Sequence, residues 1–371
     1  MVYKKIIQNI LTRQAKYSYN ADVMIKKIII IIFLLFSYSF SLELWLTIDK
    51  SQEAATQKLV KKYFPQANVT YFYWDTALNQ ITKKITQNKL PDVLLTGHTY
   101  LPFIAQYYSN FESVAPLYWD VRALYVWGDN PNLSVVNWQE TLFFLQNHTR
   151  FMAFPNQWTV DELYNYLAFF NDQLPFWIST SPFSSQNLLY TIKLLTTLKK
   201  IYPALFKDKP VEAFLKKENE AIISGPWMYN ILKKQKAPFT VFPVPKSQNG
   251  IQEFKGAYVG IFFNNDSATQ KTKDILNSYK FQKDSWQIFN LLPTNQKLED
   301  ELYEDPILKV LIDITKSSRW ASSVEPNSLK EKVDVLNFFL KKKNTNEKFN
   351  DKKILGFFNN QIYFKIMKWF N

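Results

Sequence analysis

The chain has 371 residues, 47% of them apolar, which leaves room for two domains with cores of their own. It holds no cysteine and only two histidines, which excludes disulfides, thiol nucleophiles, thiolate metal sites and multi-histidine metal centres. The net charge of +13 is concentrated at the ends: residues 1–41 hold six Lys/Arg and one Asp, residues 341–371 hold eight Lys and two acids, and residues 42–340 carry only +2. A nearly neutral body does not argue for nucleic acid, and the run Lys341–Lys343 reads as solvated surface or a weak contact with anionic membrane.

Residues 1–23 precede a better start at Met24 and read as an upstream extension. Met24–Ser41, MIKKIIIIIFLLFSYSFS, combines basic Lys26 and Lys27, an unbroken apolar stretch Ile28–Phe36, and small Ser39 and Ser41 ahead of Leu42. That is the pattern of a Sec signal peptide; the apolar run is short for a span, and an uncleaved anchor is the alternative.

From Leu42 the pattern alternates strands and helices. Leu42–Ile48 reads as a strand, Gln52–Phe64 as a helix with Ala55, Leu59 and Tyr63 on one face, and Val69–Trp74 as a second strand. Thr76–Asn88 follows as a helix with Ala77, Ile81 and Ile85 aligned, then the strand Val93–Leu95 after Pro91-Asp92, and a helix over Tyr100–Tyr107. This order predicts a parallel sheet with helices on its faces. Ligands of such sheets bind beyond the carboxyl ends of the strands, which here offer Asp49-Lys50, Trp74-Asp75 and Gly97-His98. Glu112–Trp119 passes almost directly into Val121–Trp127, and the turn-rich Asp129-Asn130-Pro131-Asn132 reads as a crossing into a second lobe.

In that second region Trp138-Gln139-Glu140 opens a helix, Phe151–Pro155 is a strand, and Asn156-Gln157-Trp158 is the loop at its end. Thr159–Phe170, Gln186–Ile201 and Pro210–Glu218 read as helices. Phe239–Pro245 and Lys255–Phe263 are strands, Ser267–Phe281, Asp305–Lys316 and Lys332–Leu340 are helices, and Arg319–Pro326 is a loop. No phosphate-cradling glycine loop and no Gly-x-Ser-x-Gly elbow occurs, and His98 has no evident serine partner. Asp49 and Asp75 leave open a carboxylate pair of the glycosidase kind.

The most specific segment is Glu220–Leu232, EAIISGPWMYNIL. An apolar strand, Ala221–Ser224, runs into Gly225-Pro226 and then a helix; Gly suits the turn, and Pro suits a first helical position whose N–H has no partner. Trp227 then stands at a strand-to-helix corner. A packed core ring is the plain reading of such a tryptophan. The segment also resembles the carboxy-lobe signature of the extracellular solute-binding proteins of sugar ABC transporters, the maltose-binding type, in which this tryptophan stacks on a sugar ring. Leu90–Gln106, LPDVLLTGHTYLPFIAQ, resembles that family's Pro-Asp strand, Leu42–Lys50 its first strand, and Lys255–Phe263 its returning segment. One departure is a stretch before the first crossing that is shorter than the family's by a few tens of residues.

The resemblance implies an α/β, two-lobed periplasmic-binding-protein type II fold, each lobe a mixed sheet flanked by helices, joined by crossing hinge segments. It places residues 42–128 with about 256–316 in the amino-terminal lobe, and about 129–255 with 317–371 in the carboxy-terminal lobe. It implies a monomeric substrate-binding component of an importer that captures a sugar or short oligosaccharide and delivers it to permease subunits with an ATPase, without catalysis or cofactor. With no cysteine to lipidate, a periplasmic location follows. A pyranose offers apolar C–H faces to aromatic platforms and a hydroxyl rim to carboxylates, amides and cations. The candidate ligand-binding residues are accordingly Trp227, Asp49, Lys50, Trp74, Asp75, His98, Arg122, Trp158, Tyr258, Trp320 and Glu325. A different solute, or an exported glycosidase-like enzyme, are the competing readings.

Overall fold

A computed structural model describes residues 42–108, 110–129, 137–148, 150–159, 195–246 and 254–320, with isolated positions between 162 and 192 and between 333 and 340. The upstream extension, the signal peptide over 24–41, the Asp129 turn beyond its first residue, Glu325 and the basic tail lie outside the described residues. In chain order the elements are β1 (Glu43–Ile48), α1 (Glu53–Tyr63), β2 (Asn68–Tyr73), α2 (Ala77–Thr86), β3 (Val93–Gly97), α3 (Leu101–Ala105), β4 (Ser113–Val121), β5 (Ala123–Trp127), α4 (Trp138–Asn147), β6 (Phe154–Pro155) and β7 (Phe206–Lys207). They continue with α5 (Pro210–Leu215), β8 (Ala221–Ser224), α6 (Trp227–Gln235), β9 (Phe239–Pro243), β10 (Phe254–Phe262), α7 (Ser267–Asn277), α8 (Tyr279–Phe289), β11 (Leu292–Pro293), α9 (Gln296–Leu302), α10 (Pro306–Ser317) and β12 (Arg319–Trp320).

The first sheet has the strand order β11-β4-β10-β3-β1-β2, with β12 also paired to β10. β1 lies parallel to β2 and β3, as the β-α-β-α-β reading requires, and β10 returns antiparallel between β3 and β4. Asp92 shows why the Pro-Asp turn sits where it does. One carboxylate oxygen accepts the Glu43 N–H at 2.7 Å and the other the Asn264 side-chain amide at 2.6 Å, so the entrances of β1 and β3 are pinned to the exit of β10. One face of the sheet packs Trp45, Phe72 and Leu94 against Ala77, Ile81 and Ile85, the stripe that the period-3.6 pattern marks on α2.

The second sheet is built from β8-β5-β9, all antiparallel, with a parallel bridge from Met152 to Ala221 at its edge, and β6 and β7 form a separate parallel pair. Its central strand is buried on both sides. Leu124 and Val126 face a core with Trp138, Phe154 and Trp158; Ala123 and Tyr125 face another with Met228, Leu232, Leu311 and Ile312. That two-sided burial explains the unbroken apolar run of β5.

The chain changes sheets at Arg122: Val121 still pairs with Lys255 of the first sheet, and Ala123 already pairs with Ser224 and Pro243 of the second. No turn marks the change, because extended backbone continues straight through and only its pairing partners are exchanged. The stretch read as one helix over Ser267–Phe281 is two, α7 and α8, broken at Ser278, whose backbone is extended and whose hydroxyl accepts the Phe281 N–H at 3.2 Å. It is an N-cap inside a continuous amphipathic pattern. α9 and β11 have no counterpart in the sequence reading. Among the described residues no helix is long and apolar enough to cross a membrane.

Candidate functional site

The topology brings the chemically useful edges of both sheets together. β1, β2 and β3 are parallel, so Asp49, Trp74 and His98 leave the first sheet at one edge. β10 runs antiparallel to β3 and β4, so Gly256, paired with Asp120, and Lys255, paired with Val121, lie at that same edge. In the second sheet Ala123 opens β5 opposite Ser224 and Pro243, the last residues of β8 and β9. Only Arg122 separates the two edges, and the Gly225-Pro226-Trp227 corner follows Ser224 directly. Such carboxyl edges are where open α/β sheets take ligands.

Arg122 is the centre of this junction. Its side chain is only 11% exposed, and a guanidinium so enclosed needs partners for its charge. It ion-pairs with Asp120, donates from Nε to Asn165 Oδ1 at 2.5 Å, and lies 4.8 Å from the centre of the Trp227 ring, within cation–π range. Asn165 is itself oriented by a 3.3 Å bond to Glu162. The Trp227 ring folds back over Gly225: a Cβ built there would stand 2.1 Å from the ring. The corner is held from below by Tyr125, whose buried hydroxyl donates to the Gly225 carbonyl at 2.9 Å.

Across the junction Trp74 is half-buried. It meets Tyr100 and Tyr258 edge-on at 5.7 and 6.2 Å, and a Cβ on Gly97 would lie 3.3 Å from its ring. His98 covers Gly256, where a Cβ would stand 2.5 Å from the imidazole, and its Nδ1 accepts the Ala257 N–H at 3.1 Å. Burial lowers the His98 pKa below 6.5; Asp120 opposes that shift and Arg122 adds to it, so the ring is neutral at pH 7. Asp49 and Lys50 are exposed at the end of β1. Desolvation by the surrounding protein nonetheless raises the Asp49 pKa. Asp75 is exposed beside Trp74 and accepts a hydrogen bond from Thr76 at 3.3 Å.

Of the expected site residues, Arg122 and Trp227 are in mutual contact, while Trp74 and His98 line the facing edge with Asp49, Lys50 and Asp75. Two are core residues. Trp158 is 1% exposed, packed edge-on to Tyr166 at 5.3 Å. Tyr258 is 2% exposed, its hydroxyl donating to the Thr47 carbonyl at 2.8 Å and its ring stacked on Phe289. Tyr258 supports Trp74 from beneath and presents no face to a solute. Trp320 contributes backbone pairing to Lys255, and its side chain lies outside the described residues, as does Glu325. Sequence reasoning misses Asp120, Asn165 and Gly256. Asp120 was signalled by its i, i+2 spacing to Arg122 in extended chain, which puts both on one side; Asn165 and Gly256 carry no local signal.

The arrangement offers two exposed or half-exposed indole rings, an internally neutralised Arg–Asp pair, a neutral imidazole and carboxylates at the rim. It can bury an apolar ring face and hydrogen-bond a neutral polyol. Among the described residues no group of three or more His, Asp or Glu side chains is placed to hold a metal ion.

No family model matches the chain, and no curated protein matches it. Solved structures do. The maltotriose-binding protein of Thermus thermophilus, bound with maltotriose, is 13% identical with a TM-score of 0.65, covering 88% of this chain and 100% of that one. The maltose-maltodextrin binding protein of Alicyclobacillus acidocaldarius is 13% identical with a TM-score of 0.64, covering 86% and 99%. An ABC transporter solute-binding protein of Thermotoga lettingae, bound with α-D-tagatose, is 15% identical with a TM-score of 0.59, covering 81% and 100%. The α/β chain described above therefore has the two-lobed fold of these sugar-binding proteins.

Proposed function

We propose that this protein captures a sugar or short oligosaccharide between the facing edges of its two sheets. The observation that carries the reading is the Trp227 corner held against Arg122 where the sheets change over. It presents an indole face beside hydrogen-bonding groups whose charges are already paired, as suits a neutral ligand with an apolar face and a polar rim. The structural neighbours named for maltotriose and tagatose support the same class of solute. Trp227 and Trp74 are the ring platforms; Asp49, Lys50, Asp75, His98 and Arg122 supply the rim. Closure of the lobes about the crossing segments buries the ligand.

In the same reading the protein is a periplasmic monomer exported by its signal peptide. It hands the bound sugar to ABC permease subunits driven by an ATPase, and carries out no catalysis. The test is calorimetric titration of the purified protein with a panel of mono- to trisaccharides. Saturable binding with quenching or enhancement of tryptophan fluorescence is expected. Silence across the whole panel, with binding of an amino acid, polyamine or anion instead, would overturn the sugar assignment.

A further inference from the structure

Helix α10 touches both halves of the site without contributing to it. At its amino end Asp305 is the N-cap: Oδ1 accepts the Ile307 and Leu308 N–H groups at 2.9 and 3.1 Å. Its other oxygen faces α6, accepting the Tyr229 hydroxyl at 2.8 Å and pairing with Lys233 at 3.2 Å. Tyr229 is two residues beyond Trp227 and 9% exposed, and Lys233 also lies over its ring. Along its length α10 packs chiefly on β9 and β4, and its Leu308, Leu311 and Ile312 share one buried cluster with Met228, Tyr229 and Leu232 of α6. At its carboxy end the Thr315 carbonyl accepts Lys255 Nζ at 3.0 Å. Lys255 precedes Gly256, the residue beneath His98, and its ammonium lies over Trp119 at 4.8 Å. The chain then runs into β12, which pairs with β10 at Phe254 and Lys255.

We propose that α10 is a strut that ties the Trp227 corner of the second sheet to strand β10 of the first, and that Asp305 is a positioning residue for the aromatic wall. The split use of its carboxylate is what makes the strut stiff. One oxygen stabilises α10 itself, and the other makes charge-assisted bonds to the helix that carries Trp227. A movement of α6 is therefore felt at the start of β10. The ligand in question rests on the carbohydrate reading above; the mechanical tie does not.

Two substitutions separate the oxygen roles. Asp305→Asn keeps a good N-cap for α10 but removes the acceptor for Tyr229 and the charge for Lys233. Tyr229→Phe removes the hydroxyl alone. Hydrogen exchange on the full chain is expected to show α6 amides exchanging about fivefold to tenfold faster in each variant, the double variant no faster than the singles, and α10 amides unchanged. The same variants should bind the sugar panel about threefold to tenfold more weakly, since a displaced aromatic anchor loses contact without loss of folding. Unchanged α6 exchange, or equal acceleration in α6 and α10, would overturn the strut. Faster α6 exchange with unchanged sugar affinity would overturn the positioning role. A wild-type protein that binds no sugar, alongside variants that still show the α6 response, would sink the carbohydrate reading and leave the strut standing.

Discussion

The Arg122 guanidinium lies 4.8 Å from the centre of the Trp227 ring, so the residue at which the chain changes sheets touches the helix start that follows β8 of the second sheet. Arg122 is the single residue between β4 and β5; Trp227 opens the helix after β8. The contact joins the crossing segment to the aromatic corner.

Trp227→Ala removes the ring platform while leaving the Gly-Pro turn and the apolar face of α6. Sugar affinity should fall about 30-fold or more, the range of a binding hot spot of 2 kcal/mol and above. The melting temperature should drop only slightly, because the ring is half-exposed. Calorimetric titration beside scanning calorimetry checks this. A large thermal loss with intact affinity would make Trp227 a core residue.

Arg122→Lys keeps the charge but cannot serve a carboxylate, an amide and a ring face from one planar group. About tenfold weaker binding is expected, together with a loss of stability of roughly 1–3 kcal/mol for the broken enclosed network, read from urea titration. Full retention of both would deny the junction its role.

The two close-packed glycines should behave differently. Gly225→Ala places a Cβ 2.1 Å from the Trp227 ring, so the ring must leave Arg122; the fluorescence spectrum and sugar affinity should both change. Gly256→Ala drives a Cβ to 2.5 Å from His98, which is held by the Ala257 N–H, and should cost about 1–3 kcal/mol of stability as an overpacked site does. Unaltered fluorescence in the first variant, or unaltered stability in the second, would show that the rings move aside freely.

His98 gives a pH signature. Burial holds its pKa below 6.5, so between that value and the folded pKa the unfolded chain binds the proton more readily. Its contribution to stability is complete above pH 6.5 and declines as pH falls, levelling off below the folded pKa. With only two histidines in the chain, His148→Gln isolates the His98 proton resonance, and its titration midpoint should lie below 6.5. A midpoint at or above 6.5 would contradict the buried placement over Gly256.

Much of this architecture is legible along the chain, for local reasons. Ala77, Ile81 and Ile85 mark the buried face of α2 because a 3.6-residue period places them in line. Gly225-Pro226 ends a strand and begins a helix: the fixed φ of Pro226 suits a helix start, and the missing side chain of Gly225 leaves room for the Trp227 ring. The parallel strands, and the gathering of Asp49, Trp74 and His98 at one edge, follow from the alternation of strand and helix.

What the sequence leaves open is which element covers each apolar face and where pairing partners change. Trp158 and Tyr258 read as platforms because an aromatic at a strand end looks the same whether solvent or Tyr166 and Phe289 lie beyond it. Ser278 breaks a helix inside a continuous amphipathic stripe, since a cap competes with propensity only when the next helix packs in a new direction. The crossing at Arg122 has no turn residues because it changes hydrogen-bond partners and not backbone direction. The sequence by itself determined the strand ends, the Gly-Pro-Trp corner and the set of polar groups available at one edge. The tertiary structure alone decided which rings remain accessible and that Arg122 joins the two edges, because burial and long-range pairing depend on neighbours far away in the chain.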